Sequence, residues 1–317
     1  MTRILRLAVT CAVSLLLYFL VFGFIVSRPM VVDISQLMME KKMAYARATG
    51  HPKILIVANS NARFSHSCAV IEQSLHRPCV NLGIAGDTGI DWTLDSARSA
   101  LAPGDLVYMP IEFDIYSRSK VQMLTGMDAA SRFRHDKLSL LNRGAEGVVR
   151  AAFMFGLPTL IQSLGEMGLQ ATGVRRRFGL DTLDMQGDET GHDDARALPY
   201  VEIIRSQPEN LPDEKTLFDN PDGSQAAIVR FLDWCKTHGI VVVGGLPTIF
   251  DDIPVPANSI ARLKEFYARH GAKFLVLANR SQYPRSAFFD TSYHLREPWQ
   301  KRHSALLAAG LAQLLQP

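Results

Sequence analysis

Ser60, Asp290 and His294 are the residues in this 317-residue chain whose types could carry nucleophilic acyl chemistry. A serine hydroxyl attacks a carbonyl only when a base takes its proton, and an imidazole is that base when a carboxylate holds its tautomer. Ser60 lies in Ala58-Asn59-Ser60-Asn61, directly after the apolar run Lys53–Ala58; Asp290 and His294 lie in Phe288–His294, just before the last helical stretch. The reaction also needs donors aimed at the developing oxyanion. Gly83-Ile84-Ala85-Gly86-Asp87-Thr88 follows a second short apolar run. A glycine there lets a backbone N–H approach such an oxyanion closely. Asn61 is the side-chain candidate for a second donor. Taken alone, a serine after a strand is most commonly a helix cap; the order of the three segments along the chain gives them weight.

The elements that would position these residues read as an alternating α/β pattern. Apolar runs at 53–58, 79–82, 106–111, 240–244 and 273–277 predict five strands. Amphipathic stretches near 66–75, 90–101, 223–238, 258–269 and 298–315 predict helices between and after them. Continuous apolar strands separated by helices imply a parallel sheet covered on both faces, a three-layer α/β sandwich. In such sheets the site lies beyond the carboxyl ends of the strands. The stretch from about 120 to 215 reads as an insertion. It holds an apolar helix near 149–169, then a polar run with Asp181, Asp184, Asp188, Glu189, His192, Asp193 and Asp194. These acids do not have the spacing of a calcium loop, so a solvated loop is expected, and no metal or other cofactor is.

The amino end sets the compartment. Leu7–Val26 is twenty residues without a formal charge, about 30 Å as a helix and enough to cross a bilayer. Its length and the poor cleavage site after it favour an anchor over a removed signal peptide. Arg3 and Arg6 precede it, which places the amino end in the cytoplasm and the rest outside. The expected domains are a signal anchor at 1–28, a stalk helix and linker at 29–52, and an α/β domain at 53–317. Residues 1–28 hold three arginines and no acid, which accounts for the whole chain's net +3 and leaves the remainder neutral. A neutral body does not fit a nucleic-acid partner, and no GxGxxG or phosphate-binding loop follows the first strand. The four cysteines show no CxxC spacing. Cys68 and Cys79 are expected at opposite ends of one helix, about 15 Å apart, too far for a disulfide.

The ordering of these segments resembles the SGNH (GDSL-like) hydrolase superfamily over residues 53–117 and 240–312. Ala58-Asn59-Ser60-Asn61-Ala62 occupies the position of its first block, Ile84–Thr88 is similar to the second, and Asp290 with His294 matches the fifth. The resemblance implies a flavodoxin-like five-stranded sheet, a Ser60–His294–Asp290 triad and an oxyanion site at Gly86. The amino-terminal anchor and Tyr293-His294-Leu295 look like bacterial envelope proteins associated with exopolysaccharide acylation. That likeness implies an inner-membrane, single-pass protein with its carboxyl-terminal domain in the periplasm. It would be a serine esterase or O-acyltransferase acting on acyl groups, acetyl above all, of an exported polysaccharide, with a membrane acyltransferase as a candidate partner. Glu112 and Asp87 are then candidates for binding sugar hydroxyls. The chain departs from the family where Ala58 replaces a glycine and where Met109–Asp114 lacks the third-block asparagine. Its Asp-to-His spacing is also one residue longer than the commoner pattern. A catalytically silent glycan-binding or assembly protein on the same fold is the alternative.

Overall fold

The computed structural model describes residues 2–26, 31–86, 88–119, 122–123, isolated positions between 145 and 172, 180–208, 211 and 215–315. It divides into two compact units. One comprises residues 1–36 and 124–177, the other 37–123 and 178–317.

The first unit contains α1 (Arg3–Val26), a helix long and apolar enough to cross a membrane. Ile4, Leu7, Leu16 and Leu20 are exposed along it, and a soluble helix would bury such a run of large side chains. Tyr18 of α1 stacks on Phe153 of the same unit, ring centroids 5.2 Å apart. The helix expected at 149–169 lies largely outside the described residues.

The second unit is an α/β fold around one five-stranded parallel sheet. Its strands are β1 (Ile54–Ile56), β2 (Cys79–Asn81), β3 (Leu106–Met109), β4 (Val241–Gly245) and β6 (Lys273–Leu275), in the spatial order β2-β1-β3-β4-β6. Ile54 registers with Cys79 on one side and Leu106 on the other, Leu106 with Val241, and Val243 with Lys273. β1 to β3 are buried throughout, which explains their unbroken apolar sequence. A layer of α3 (Ser60–Ser65), α4 (Cys68–Leu75) and the carboxyl-terminal helix α11 (Glu297–Leu314) packs together. α5 (Ile90–Arg98) packs on α9 (Ser224–Thr237), which also meets α6 (Phe113–Ser117), while α10 (Ala257–Arg269) covers β4 and β6. A small second sheet pairs β5 (Ile249–Phe250) with β7 (Gln282–Tyr283) in parallel. The strand order reverses between β1 and β3, so a crevice opens at the carboxyl ends of those two strands.

Three expectations need correction. The first concerns Cys68 and Cys79, which form a disulfide with Cα atoms 5.0 Å apart. α4 ends at Leu75, His76 turns the chain in the left-handed conformation (φ 51°), and residues 77–79 return the chain to the start of α4. The two cysteines are therefore not opposite ends of one helix. The second is the expected stalk, α2 (Val31–Ala48). From residue 37 onward it belongs to the α/β unit, with Met38, Met39, Lys42, Met43 and Ala46 buried and Lys42 Nζ donating to Gly83 O. The third is the polar run after residue 180, which is not a solvated loop throughout. Asp188, Glu189 and His192 are buried. Glu189 pairs with Arg63, and Asp188 accepts from Asn81 Nδ2 at 2.9 Å and from the Cys68 N–H. The sequence shows acids without revealing that buried donors wait for them.

Candidate active site

β1 delivers the serine to the crevice. Ile54–Ala58 are fully buried, and beyond the strand the Val57 N–H still donates to Tyr108 O at 2.9 Å. The chain turns at Asn59 (φ −83°, ψ −149°) into α3, whose other five residues are buried while Ser60 is half-exposed. The hydroxyl thus sits at the opening of an otherwise enclosed helix.

The loop before α11 delivers the imidazole and its carboxylate. His294 Nδ1 lies 2.7 Å from Asp290 Oδ1. The loop closes on itself through an antiparallel bridge between Phe288 and Leu295 and through Phe289 N–H donating to His294 O at 2.7 Å. With Nδ1 turned to the carboxylate, the proton resides on Nδ1 and Nε2 carries the lone pair a general base needs.

Two side chains of α3, with Thr248 from the loop after β4, fasten this loop to the helix. Tyr293 O accepts from Asn61 Nδ2 at 2.9 Å, Ser65 Oγ at 2.8 Å and Thr248 Oγ1 at 2.9 Å, and Leu295 N–H donates to Ser65 Oγ at 3.1 Å. The His294 ring stacks on Phe64, centroids 4.2 Å apart and planes within 15°. Phe64 stands four residues after Ser60 on α3, so the two share a helix face. The structure brings Asp290 and His294 into direct contact and sets His294 on the Ser60 side of α3. Among the hydrogen bonds of the described residues there is none from Ser60 to His294. Such bonds are commonly long before a substrate arrives.

The remaining candidates divide. Asn61 is fully buried, and its Nδ2 donates to Thr248 Oγ1 at 2.7 Å as well as to Tyr293 O. Both amide hydrogens are therefore committed, which corrects its assignment as an oxyanion donor: Asn61 fastens the loop. Asp87 lies outside the described residues. Gly86 closes the turn after β2, and its carbonyl accepts from Arg118 Nη1 at 2.7 Å. The turn approaches α3 because Gly83 has no side chain; a Cβ there would lie 2.5 Å from Arg63 N and 2.7 Å from Ala62 Cβ. A Cβ on Gly86 would lie 3.7 Å from Asn59 Nδ2, so that amide faces the glycine.

Glu112, just past β3, is buried, and burial pushes its carboxyl up to about 7. Asp114 adds to the rise; His294, Asn59 and Arg118 oppose it. Nothing in the sequence marked Ser65, Thr248 or Phe64 as parts of the site, because their role is to hold its loop. Asn59 precedes α3, yet its side chain makes no cap hydrogen bond.

No family, no curated protein and no solved structure matches this chain.

Proposed function

We propose that the protein is a membrane-anchored, extracytoplasmic serine esterase or O-acyltransferase with an SGNH-like site. The observation that carries this reading is the Asp290–His294 pair, fastened by Asn61, Ser65 and Thr248 to the helix that begins with Ser60. In the proposed reaction His294 Nε2 takes the Ser60 proton as Oγ bonds to the acyl carbon. The imidazolium, held by Asp290, then returns the proton to the departing alkoxide. Water or a carbohydrate hydroxyl next attacks the acyl-serine, giving its proton to His294, and Ser60 leaves as the regenerated hydroxyl. In this reading the Gly86 N–H would serve the oxyanion.

Two further features support the extracytoplasmic placement: α1, long and apolar enough to span a membrane, and the Cys68–Cys79 disulfide, a bond that persists in oxidising compartments. Acetylated exported polysaccharide as the substrate rests on the resemblance of the motifs. The test is labelling of the full-length protein with a fluorophosphonate probe. Labelling that Ser60→Ala abolishes and His294→Ala suppresses is expected. A folded protein that takes no label contradicts catalysis and leaves a glycan-binding or assembly role on the same scaffold.

A further inference from the structure

Buried polar atoms without partners are costly, about 1–3 kcal/mol each, and are uncommon in native proteins. Three of them meet beside the candidate nucleophile. Asn59 is 4% exposed, and neither Oδ1 nor Nδ2 has a hydrogen-bond partner; Glu112 is 7% exposed, and its Oε1 has none. Asn59 precedes Ser60 and faces Gly86, and its amide is near enough to bias the Glu112 carboxyl without a hydrogen bond of ordinary geometry. Glu112 in turn feels His294. The unpartnered atoms therefore lie beside the Gly86 turn, on the residue before Ser60 and on a carboxyl that His294 influences. A substrate oxygen that becomes negative there would find the donors that these groups are holding in reserve.

Resting on the acyl-transfer reading above, we propose that the oxyanion pocket is built from the Asn59 side-chain amide and Glu112 as a neutral carboxylic acid, opposite Gly86. The glutamate stands in the segment where the expected asparagine is missing. Its hydroxyl form donates, whereas its carboxylate would repel the oxyanion, so the site works only while Glu112 holds its proton. The surroundings favour that state. Desolvation and the neighbouring Asp114 raise the carboxyl to about 7, and the opposing groups are His294, Asn59 and Arg118. Arg118 is itself divided between Asp114 Oδ2, at 3.1 Å from its Nε, and Gly86 O. Because the pKa is raised, the neutral donor is present below about pH 7 and is lost as pH rises through it. A preorganised carboxylic-acid donor has a physical precedent in other enzymes that keep a buried acid protonated near neutrality.

The experiment is the pH profile of Ser60 fluorophosphonate labelling in the full-length protein, compared with Glu112→Gln, Glu112→Ala and Asn59→Ala. Losing one oxyanion donor costs on the order of 10²–10³-fold. The unaltered protein should lose about that much reactivity as pH rises past 7. Glu112→Gln, an isosteric donor that cannot ionise, should keep its rate across that range. Glu112→Ala and Asn59→Ala should be slow, by about 10²-fold, at every pH. As a readout independent of any variant's folding, a glutamate carboxyl of the unaltered protein should titrate near pH 7 by carbon-13 NMR. A Glu112→Gln profile that keeps the alkaline decline, or no glutamate titrating above its ordinary range, overturns the oxyanion proposal while leaving Ser60 catalysis standing. Labelling that does not depend on Ser60 at all overturns the underlying acyl-transfer reading, and this proposal with it.

Discussion

Among the residues, one imidazole carries the proposed chemistry. Asp290 at 2.7 Å from Nδ1 fixes which nitrogen of His294 is free. Asp290→Asn would keep the contact but could present an amide hydrogen to Nδ1, reversing the tautomer. We expect Ser60 acylation to slow by about 10³–10⁴-fold with little change in fold, read as the rate of release from a chromogenic acetyl ester. A change under tenfold would mean that the carboxylate only braces the loop. That Ser60 opens a helix after β1, and that Asp290 and His294 share the loop before α11, was legible in the sequence because each lies at the end of an apolar run or beside the last helix. The role of Asn61 was not legible: its identity as an amide was visible, but not that Thr248, from the far side of β4, would claim it. Asn59 was overlooked for the converse reason. Its amide stood in plain view beside Ser60, and only the packing leaves it unbonded and facing Gly86.

The elements place these residues through a few close approaches. Gly83 lets the turn after β2 lie against the first turn of α3, where any Cβ would meet backbone. Gly83→Ala should destabilise the protein by about 1–3 kcal/mol through overpacking. It should also slow Ser60 labelling more than it lowers the melting temperature warrants, since the Gly86 turn would move off Asn59. Thermal melts and labelling rates on the same variant check both parts, and an unchanged rate would separate the turn from the chemistry. The five central strands and their helices follow from the sequence because alternating apolar and amphipathic runs leave few other arrangements. Less was legible where pairing is long-range and polar. The buried Arg63–Glu189 contact and the bonds of Asp188 join α3, α4 and β2 to a segment more than a hundred residues away. Nothing local in a run of acids signals such partners. The Cys68–Cys79 bond was concealed by a single turn at His76, which reverses a chain that would otherwise continue as helix.

For the whole molecule, α1 is long and apolar enough to cross a membrane, and residues 29–317 carry no net charge. With the α/β unit outside the cytoplasm, protease added to spheroplasts of cells making the full chain should degrade that unit while sparing cytoplasmic proteins; protection until the membrane is lysed would place it on the other side. On the proposed reading, such a location would meet acylated, exported carbohydrate, and Ser60 is the serine that carries the chemistry. The most direct measurement of that claim is peptide mapping by mass spectrometry after brief exposure of the full-length protein to p-nitrophenyl acetate. The account predicts an acetyl group on Ser60 that accumulates in the unaltered protein and is absent from His294→Ala. Acetylation of some other side chain in its place, or a Ser60 adduct equally abundant without His294, would contradict it.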